Sequence, residues 1–274
     1  MQNNLADWIG RTETTHAFLD PAHASRIALT FGTVAPSAAT PLPPLWQWAY
    51  FNGSVPTNVL APDGHPPLGG FLPPTGDRNR MWAGGEVQFH APLLLGRDAT
   101  KTSTVVDIRE KEGRSGNLLF VTVEHAYVQG GVKAITERQD IVYKSPGKPR
   151  TDGNEPAPLA QWSREIVPTP PLLFRYSAVT FNTHRIHYDQ PYATEVEGYP
   201  GLVVHGPLIA TLMLQAFCDE HPDKRIMTMR YRGLGPLICG QGFNVGGVLE
   251  GHGEARLWAE SGRMLAHLAE VGYA

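Results

Sequence analysis

Cysteine is almost absent. Of 274 residues only Cys218 and Cys239 carry a thiol, and both stand among apolar neighbours without a Cys-x-x-Cys pair or metal-ligand spacing. That argues against a disulfide framework and a structural zinc site, and leaves two reduced core thiols in a cytoplasmic protein. Charge of one sign is lacking too. Twenty-three Lys and Arg face 26 Asp and Glu, a formal net charge of -3, so bulk charge gives no support for binding nucleic acid or an anionic membrane. No apolar run approaches the length of a membrane span. The first twenty residues hold no long apolar stretch and carry Asp7, Glu13 and Asp20, so neither a secretory signal nor a transit peptide is expected there. No Gly-x-Ser-x-Gly occurs, which removes the nucleophile elbow.

What is there is an ordinary globular composition, 42% hydrophobic and 18% charged, in a length that suits one large domain or two small ones packed together. Helical candidates lie at Leu5–Ile9 and at Ala22–Leu29, the second started by Pro21. Pro43-Pro44 leads into Trp46–Phe51, expected as a short buried helix whose aromatics serve the core. Gly53 to Arg80 reads as a long loop, a length usually reserved for functional or lid-like segments. Strand candidates follow at Glu86–His90, Thr102–Glu110, Leu118–Val128 and Ala134–Tyr143, separated by glycine turns including Gly113-Arg114-Ser115-Gly116. Seven prolines between 145 and 171 suggest a stiff, solvated linker. Beyond it, Leu172–Phe181 is apolar, His205-Gly206-Pro207 opens a run that is apolar nearly all round and hence a buried helix, and strands are expected at Ile226–Arg232, Gly242–Leu249, Glu254–Glu260 and Met264–Val271.

Ala91-Pro92-Leu93-Leu94-Leu95-Gly96 matches Gly235-Pro236-Leu237-Ile238-Cys239-Gly240. Each follows one strand candidate and precedes others, as a duplication would leave them. The chain is therefore divided into an N-terminal half, 1–144, a linker, 145–171, and a C-terminal half, 172–274. Each half is expected to be a sheet wrapped around a helix that covers its apolar face.

The densest polar cluster is Asn182-Thr183-His184-Arg185-Ile186-His187-Tyr188-Asp189. Histidine moves protons near neutral pH. The helix start at His205-Gly206 offers unpaired N–H groups that suit a carbonyl oxygen becoming negative, and Gly206 lets a ligand approach the backbone. His187, Asn182, His184 and Gly206 are thus the candidate catalytic set. Tyr188 and Asp189 are grouped with them as substrate-binding, and Asp189 is a candidate to orient a histidine. Arg230 and Arg232 fall on one face of a strand, where they could grip phosphates or form a solvated basic edge. His184, His187 and Asp189 lack a fourth ligand, so no metal is expected.

The run Arg175–Asp189, followed by Gly201-Leu202-Val203-Val204-His205-Gly206-Pro207-Leu208, resembles the MaoC-like hydratase family. The likeness is closest to its branch of fungal-type 3-hydroxyacyl-thioester dehydratases and mesaconyl-C4-CoA hydratases. Trp82-Ala83-Gly84-Gly85-Glu86 and Gly113–Gly116 resemble that branch as well. The resemblance implies an α+β double hotdog fold. It implies one active site per chain in the C-terminal half, an acyl-CoA thioester as substrate, and hydration or dehydration without a cofactor. The broader family's motif, Asp-x-Asn-Pro-x-His, places its His on His187, its Pro on Arg185, its Asn on His184 and its Asp on Asn182. An amide cannot titrate, so proton transfer is expected to fall on His187, with His184 as a possible partner. A fatty 3-hydroxyacyl-thioester dehydratase, a hotdog thioesterase and a non-catalytic acyl-thioester binder are the alternatives. A homo-oligomer is expected.

Overall fold

In a computed structural model of the chain, residues 4–53, 55–76, 78–113, 116–145, 147 and 155–274 are described. The strands are β1 (Thr12–Phe18), β2 (Asn79–Phe89), β3 (Asp98–Gly113), β4 (Gly116–Gln129), β5 (Val132–Lys144), β6 (Trp162–Ile166), β7 (Ile226–Gly233), β8 (Phe243–Gly251), β9 (Glu254–Ser261) and β10 (Met264–Tyr273). The α-helices are α1 (Pro21–Phe31), α2 (Pro170–Thr180) and α3 (Gly206–Glu220). All ten strands join one sheet, ordered β1-β3-β4-β5-β2-β7-β10-β9-β8-β6. Taken from either end the order is equivalent: β1 corresponds to β6, β3 to β8, β4 to β9 and β5 to β10. β2 meets its counterpart β7 in the middle, antiparallel, with Glu86 opposite Arg230.

The correspondence extends to the connections. α1 and α2 both have 11 residues, start on a proline, and are capped by a side-chain oxygen, from Asp20 and Thr169. Both end on a left-handed residue, Gly32 and Phe181. The repeated hexapeptides sit at equivalent turns. Leu42 N–H donates to Leu93 O at 2.7 Å, and Val204 N–H donates to Leu237 O at 2.8 Å. Counting on from these bonds, Pro44 is the counterpart of Gly206.

There the halves diverge. In the C-terminal half the chain runs into the 15-residue α3, with eight residues buried, packed on β8, β9 and β10. Each large apolar side chain buried this way stabilises by roughly 1.5–3 kcal/mol. The N-terminal half has only the four-residue 3₁₀ turn Trp46–Ala49. Its central helix is cut to one turn, and the halves share one continuous sheet. Leu68, Phe71 and Leu72 of the long loop pack instead on Val105, Leu119, Val121, Val123, Ile141 and Tyr143. Gln47 and Trp48 of the turn also line a cavity.

The linker reading of 145–171 is corrected at its second half. β6 lies inside it and pairs with β8 from Trp162↔Gly247 to Ile166↔Phe243. The prolines at 158 and 168 flank this stretch without entering it, so its N–H groups remain available to the ladder. Residues 146 and 148–154 lie outside the described residues, as do Arg114 and Ser115 of the turn between β3 and β4. Among the described residues, no helix is long and apolar enough to cross a membrane.

Candidate active site

A cavity of about 720 Å³ runs from the Trp46–Ala49 turn to the start of α3. Asn182, His184, His187 and Gly206 all line it. The left-handed turn at Phe181, φ 51°, ends α2 and throws the histidine segment across the cavity wall. Asn182 N–H is held by Ser177 O at 2.8 Å. The Asn182 Oδ1 accepts from His184 N–H at 2.9 Å, an Asx turn that leaves the Nδ2 group as its donor.

His187 is buried, and its Nδ1 lies 2.7 Å from Val203 O. A carbonyl only accepts, so Nδ1 carries the proton and Nε2 of the neutral ring is an acceptor. Burial pushes the His187 pKa down to about 3, His184 adds to the effect, and the Val203 bond opposes it. His184 meets the His187 ring edge-on at 5.3 Å; burial, then His65, hold its pKa down to about 3. His205 stacks on His187 at 3.7 Å. It reaches Ser177 Oγ through Nε2 at 2.8 Å, while its Nδ1 has no partner among the described residues.

α3 begins with Gly206 and Pro207, and the side chain of its N-cap residue, His205, makes no capping hydrogen bond. Its first N–H groups therefore lack intrahelical partners. The need for glycine is not the one expected from sequence. A Cβ at 206 would stand 2.4 Å from Cε3 of Trp82, whose indole stacks on Tyr231 at 4.6 Å. Trp82, not an approaching ligand, occupies that side of the glycine.

Four candidates are placed elsewhere. Asp189 binds Arg185 through Oδ2, at 2.9 and 2.7 Å, and accepts Tyr192 N–H through Oδ1 at 3.1 Å; it orients no histidine. Tyr188 is exposed and donates to Thr183 O at 3.0 Å. Arg230 and Arg232 are exposed and alternate with the buried Tyr231 on β7, because successive side chains of a strand point to opposite faces. Arg230 pairs with Glu86 at 3.3 Å and Glu270 at 3.5 Å. None of the four lines the cavity.

Two features escaped sequence reasoning. The first is a polar chamber beneath the Trp46–Ala49 turn. Glu137, 1% exposed, accepts from Trp48 Nε1 and Tyr127 OH, each at 2.9 Å. Gln47 is equally buried, and among the described residues neither of its amide atoms has a partner within hydrogen-bonding geometry. Lys101 and Arg80 also face the space. The second is Asp63-Gly64-His65 in the long loop. Asp63 Oδ2 lies 2.9 Å from His65 Nδ1, and the His65 ring overlies His184 at 4.2 Å. Burial alone would raise the Asp63 carboxyl, but the His65 hydrogen bonds outweigh it and hold it well below the usual range. Burial keeps His65 low in turn, against the pull of Asp63. The directions agree on one state: anionic Asp63 accepting from neutral His65. Ligating atoms of Asp63, His65 and His184 lie within 4.8 Å of one another. The loop's length was the only signal for this pair.

The family model for hydroxyacyl-thioester dehydratase type 2 matches residues 45–239. The chain belongs to this family. Among relatives of this hydroxyacyl-thioester dehydratase type 2 member, mesaconyl-C(4)-CoA hydratase of Chloroflexus aurantiacus is 46% identical over 84% of each chain. The mitochondrial hydroxyacyl-thioester dehydratase type 2 of Schizosaccharomyces pombe is 28% identical over 75% of this chain and 77% of its own. A conserved hypothetical protein of Mycobacterium tuberculosis, described as having a double hotdog fold, superposes with a TM-score of 0.60 at 11% identity, covering 97% of this chain and 96% of its own. The fold of this family member is a double hotdog with one of its two central helices reduced to a turn.

Proposed function

We propose that the protein adds water across, or removes it from, the double bond of a short, branched dicarboxylic enoyl-CoA thioester of the mesaconyl-C4 kind. One observation carries the chemistry. A buried, neutral His187 keeps Nε2 as an acceptor at a cavity that also reaches the uncapped start of α3. The thioester carbonyl would lie at the Gly206 N–H. As the water oxygen bonds to the β-carbon, the alkene electron pair moves to the α-carbon and thioester oxygen, where the helix start stabilises the negative charge. His187 Nε2 takes one water proton and returns it to the α-carbon. The carbonyl reforms and the ring is neutral again. Asn182 Nδ2 and His184 line the same space and position the reactants.

The acyl preference rests on the relative 46% identical and on the chamber. Among its largely apolar lining the cavity carries Gln47, Lys101, Glu137 and Arg80, polar groups that a long fatty chain would leave without partners. None of the ion pairs among the described residues includes Arg80, and Glu110 is bound to Arg78 at 2.9 Å. Arg80 is thus a fitting partner for a substrate carboxylate. Family membership favours one second reading, a 3-hydroxyacyl-thioester dehydratase of fatty-acid metabolism. In either case residues 172–274 supply the proton carrier His187 and the helix start, 1–144 shape the acyl chamber, and the enzyme works in the cytoplasm as a homo-oligomer.

A panel of enoyl-CoA thioesters tests the reading, with the loss of enoyl absorbance and release of free CoA both followed. Preference for the dicarboxylic substrate supports it. Preference for long uncharged chains selects the second reading, and CoA release without hydration makes the protein a thioesterase.

A further inference from the structure

We infer that His65, held by Asp63, is the second group that binds the attacking water, supplying the acceptor that Asn182 does not. The inference rests on the hydratase reading above. Asn182 spends its one acceptor oxygen on His184 N–H, 2.9 Å away, so it cannot receive a hydrogen bond from water through that lone-pair direction and cannot titrate. His65 can accept. Asp63 takes its Nδ1–H at 2.9 Å and its backbone N–H at 2.9 Å, which fixes the ring and leaves Nε2 as a lone pair. The carboxylate behind the ring makes Nε2 a stronger acceptor, as in carboxylate–histidine pairs generally. His65 and His187 both line the cavity, and each ring lies against His184, at 4.2 and 5.3 Å between ring centroids.

The loop is built to deliver this residue. Arg185 N–H donates to Asp63 O at 2.9 Å and Arg185 Nη1 to Pro62 O at 3.0 Å. Thr183 Oγ1 donates to Gly64 O. Gly64 has φ +92°, and a Cβ there would fall 1.9 Å from Thr183 O. Only glycine meets both demands. The loop of the N-terminal half is therefore clamped to the histidine segment of the C-terminal half at the residues that flank His184.

In the step itself a water has two protons for two acceptors. One goes to His187 Nε2 and on to the α-carbon. The other stays on the oxygen that bonds to the β-carbon, hydrogen-bonded to His65 Nε2, and ends as the product hydroxyl proton. No proton is gained or lost by the pair.

The test uses the full-length enzyme and the best substrate of the enoyl-CoA panel. His65→Gly should lower kcat by about 10²-fold or more with KM little changed, and added imidazole should restore a measurable part of it. Asp63→Asn should lower kcat less than His65→Gly, and imidazole should rescue the double variant poorly. Folded His65→Gly with near wild-type kcat overturns the inference. So does a loss that imidazole never restores while Asp63 is intact, because the pair would then only hold the loop. Activity that vanishes on chelation and returns with zinc also overturns it, by making Asp63, His65 and His184 metal ligands. Failure of the wild type on every enoyl thioester would instead strike the hydratase reading itself.

Discussion

Acidification should unfold this protein early. His125, His187 and His267 are 9%, 7% and 5% exposed, and burial holds them at about 3, 3 and 4. The unfolded chain protonates them near pH 6.5. Their folded values are depressed, so the stability they contribute is complete above pH 6.5 and drains as pH falls towards 4 and below. Each contributes about 1.4 kcal/mol per pH unit in that window. At pH 5 three such groups forgo about 6 kcal/mol, or about 3 after a twofold allowance for local water entry, against a usual stability of about 5–15 kcal/mol. Urea unfolding followed by far-UV circular dichroism at pH 7.5, 6.0 and 5.0 reads this directly. The midpoint should fall steeply below pH 6.5, and His125→Gln should flatten only a fraction of the fall, because burial holds His65, His184 and His205 low as well. A midpoint constant from pH 7.5 to 5.0 would refute the assignment of these histidines as buried and neutral.

Other perturbations separate the roles at the site. His187→Ala should reduce kcat/KM by about 10²–10⁴-fold in a folded protein. Asn182→Ala should cost less, since no proton carrier is lost; Asn182→Asp should keep or raise activity, measured as kcat/KM across pH. Gly206→Ala forces Trp82 to move and should lower stability by about 1–3 kcal/mol, seen as a reduced urea midpoint together with slower turnover. Arg230→Ala removes only an exposed pair with Glu86 and Glu270 and should leave kcat/KM within twofold, about 0.4 kcal/mol; a tenfold rise in KM for the CoA thioester would return it to the binding site.

Periodicity made most of the sheet legible. The strands expected around Val121 and Val123 and in the C-terminal meander are all present; β4 begins two residues earlier than expected, β8 one residue later, β9 and β10 begin as expected, and each runs one or two residues further at its C-terminal end. β1 was missed because nearly all its residues are exposed, which erases the alternation that marks a strand. β6 was missed because prolines surround it. The shortened central helix was invisible for another reason: Trp46–Phe51 is as apolar as a helix start, and only the bonds at Leu42 and Val204 reveal that the two segments are counterparts. At the site, His184, His187 and Asn182 stand close in sequence and converge in space. Asp63 and His65 stand about 120 residues away in a loop, and no local pattern announces a contact made through Gly64 and Thr183. Asp189 misled because proximity in sequence to His187 is no guide to direction; the turn aims it at Arg185.

The central claim is that this cavity adds water to an enoyl-CoA. Mass spectrometry of mesaconyl-C4-CoA incubated with the enzyme tests it most directly. The account expects a thioester heavier by one water, formed without free CoA and lost in His187→Ala. Unchanged mesaconyl-C4-CoA, or free CoA in place of the hydrated thioester, would contradict it.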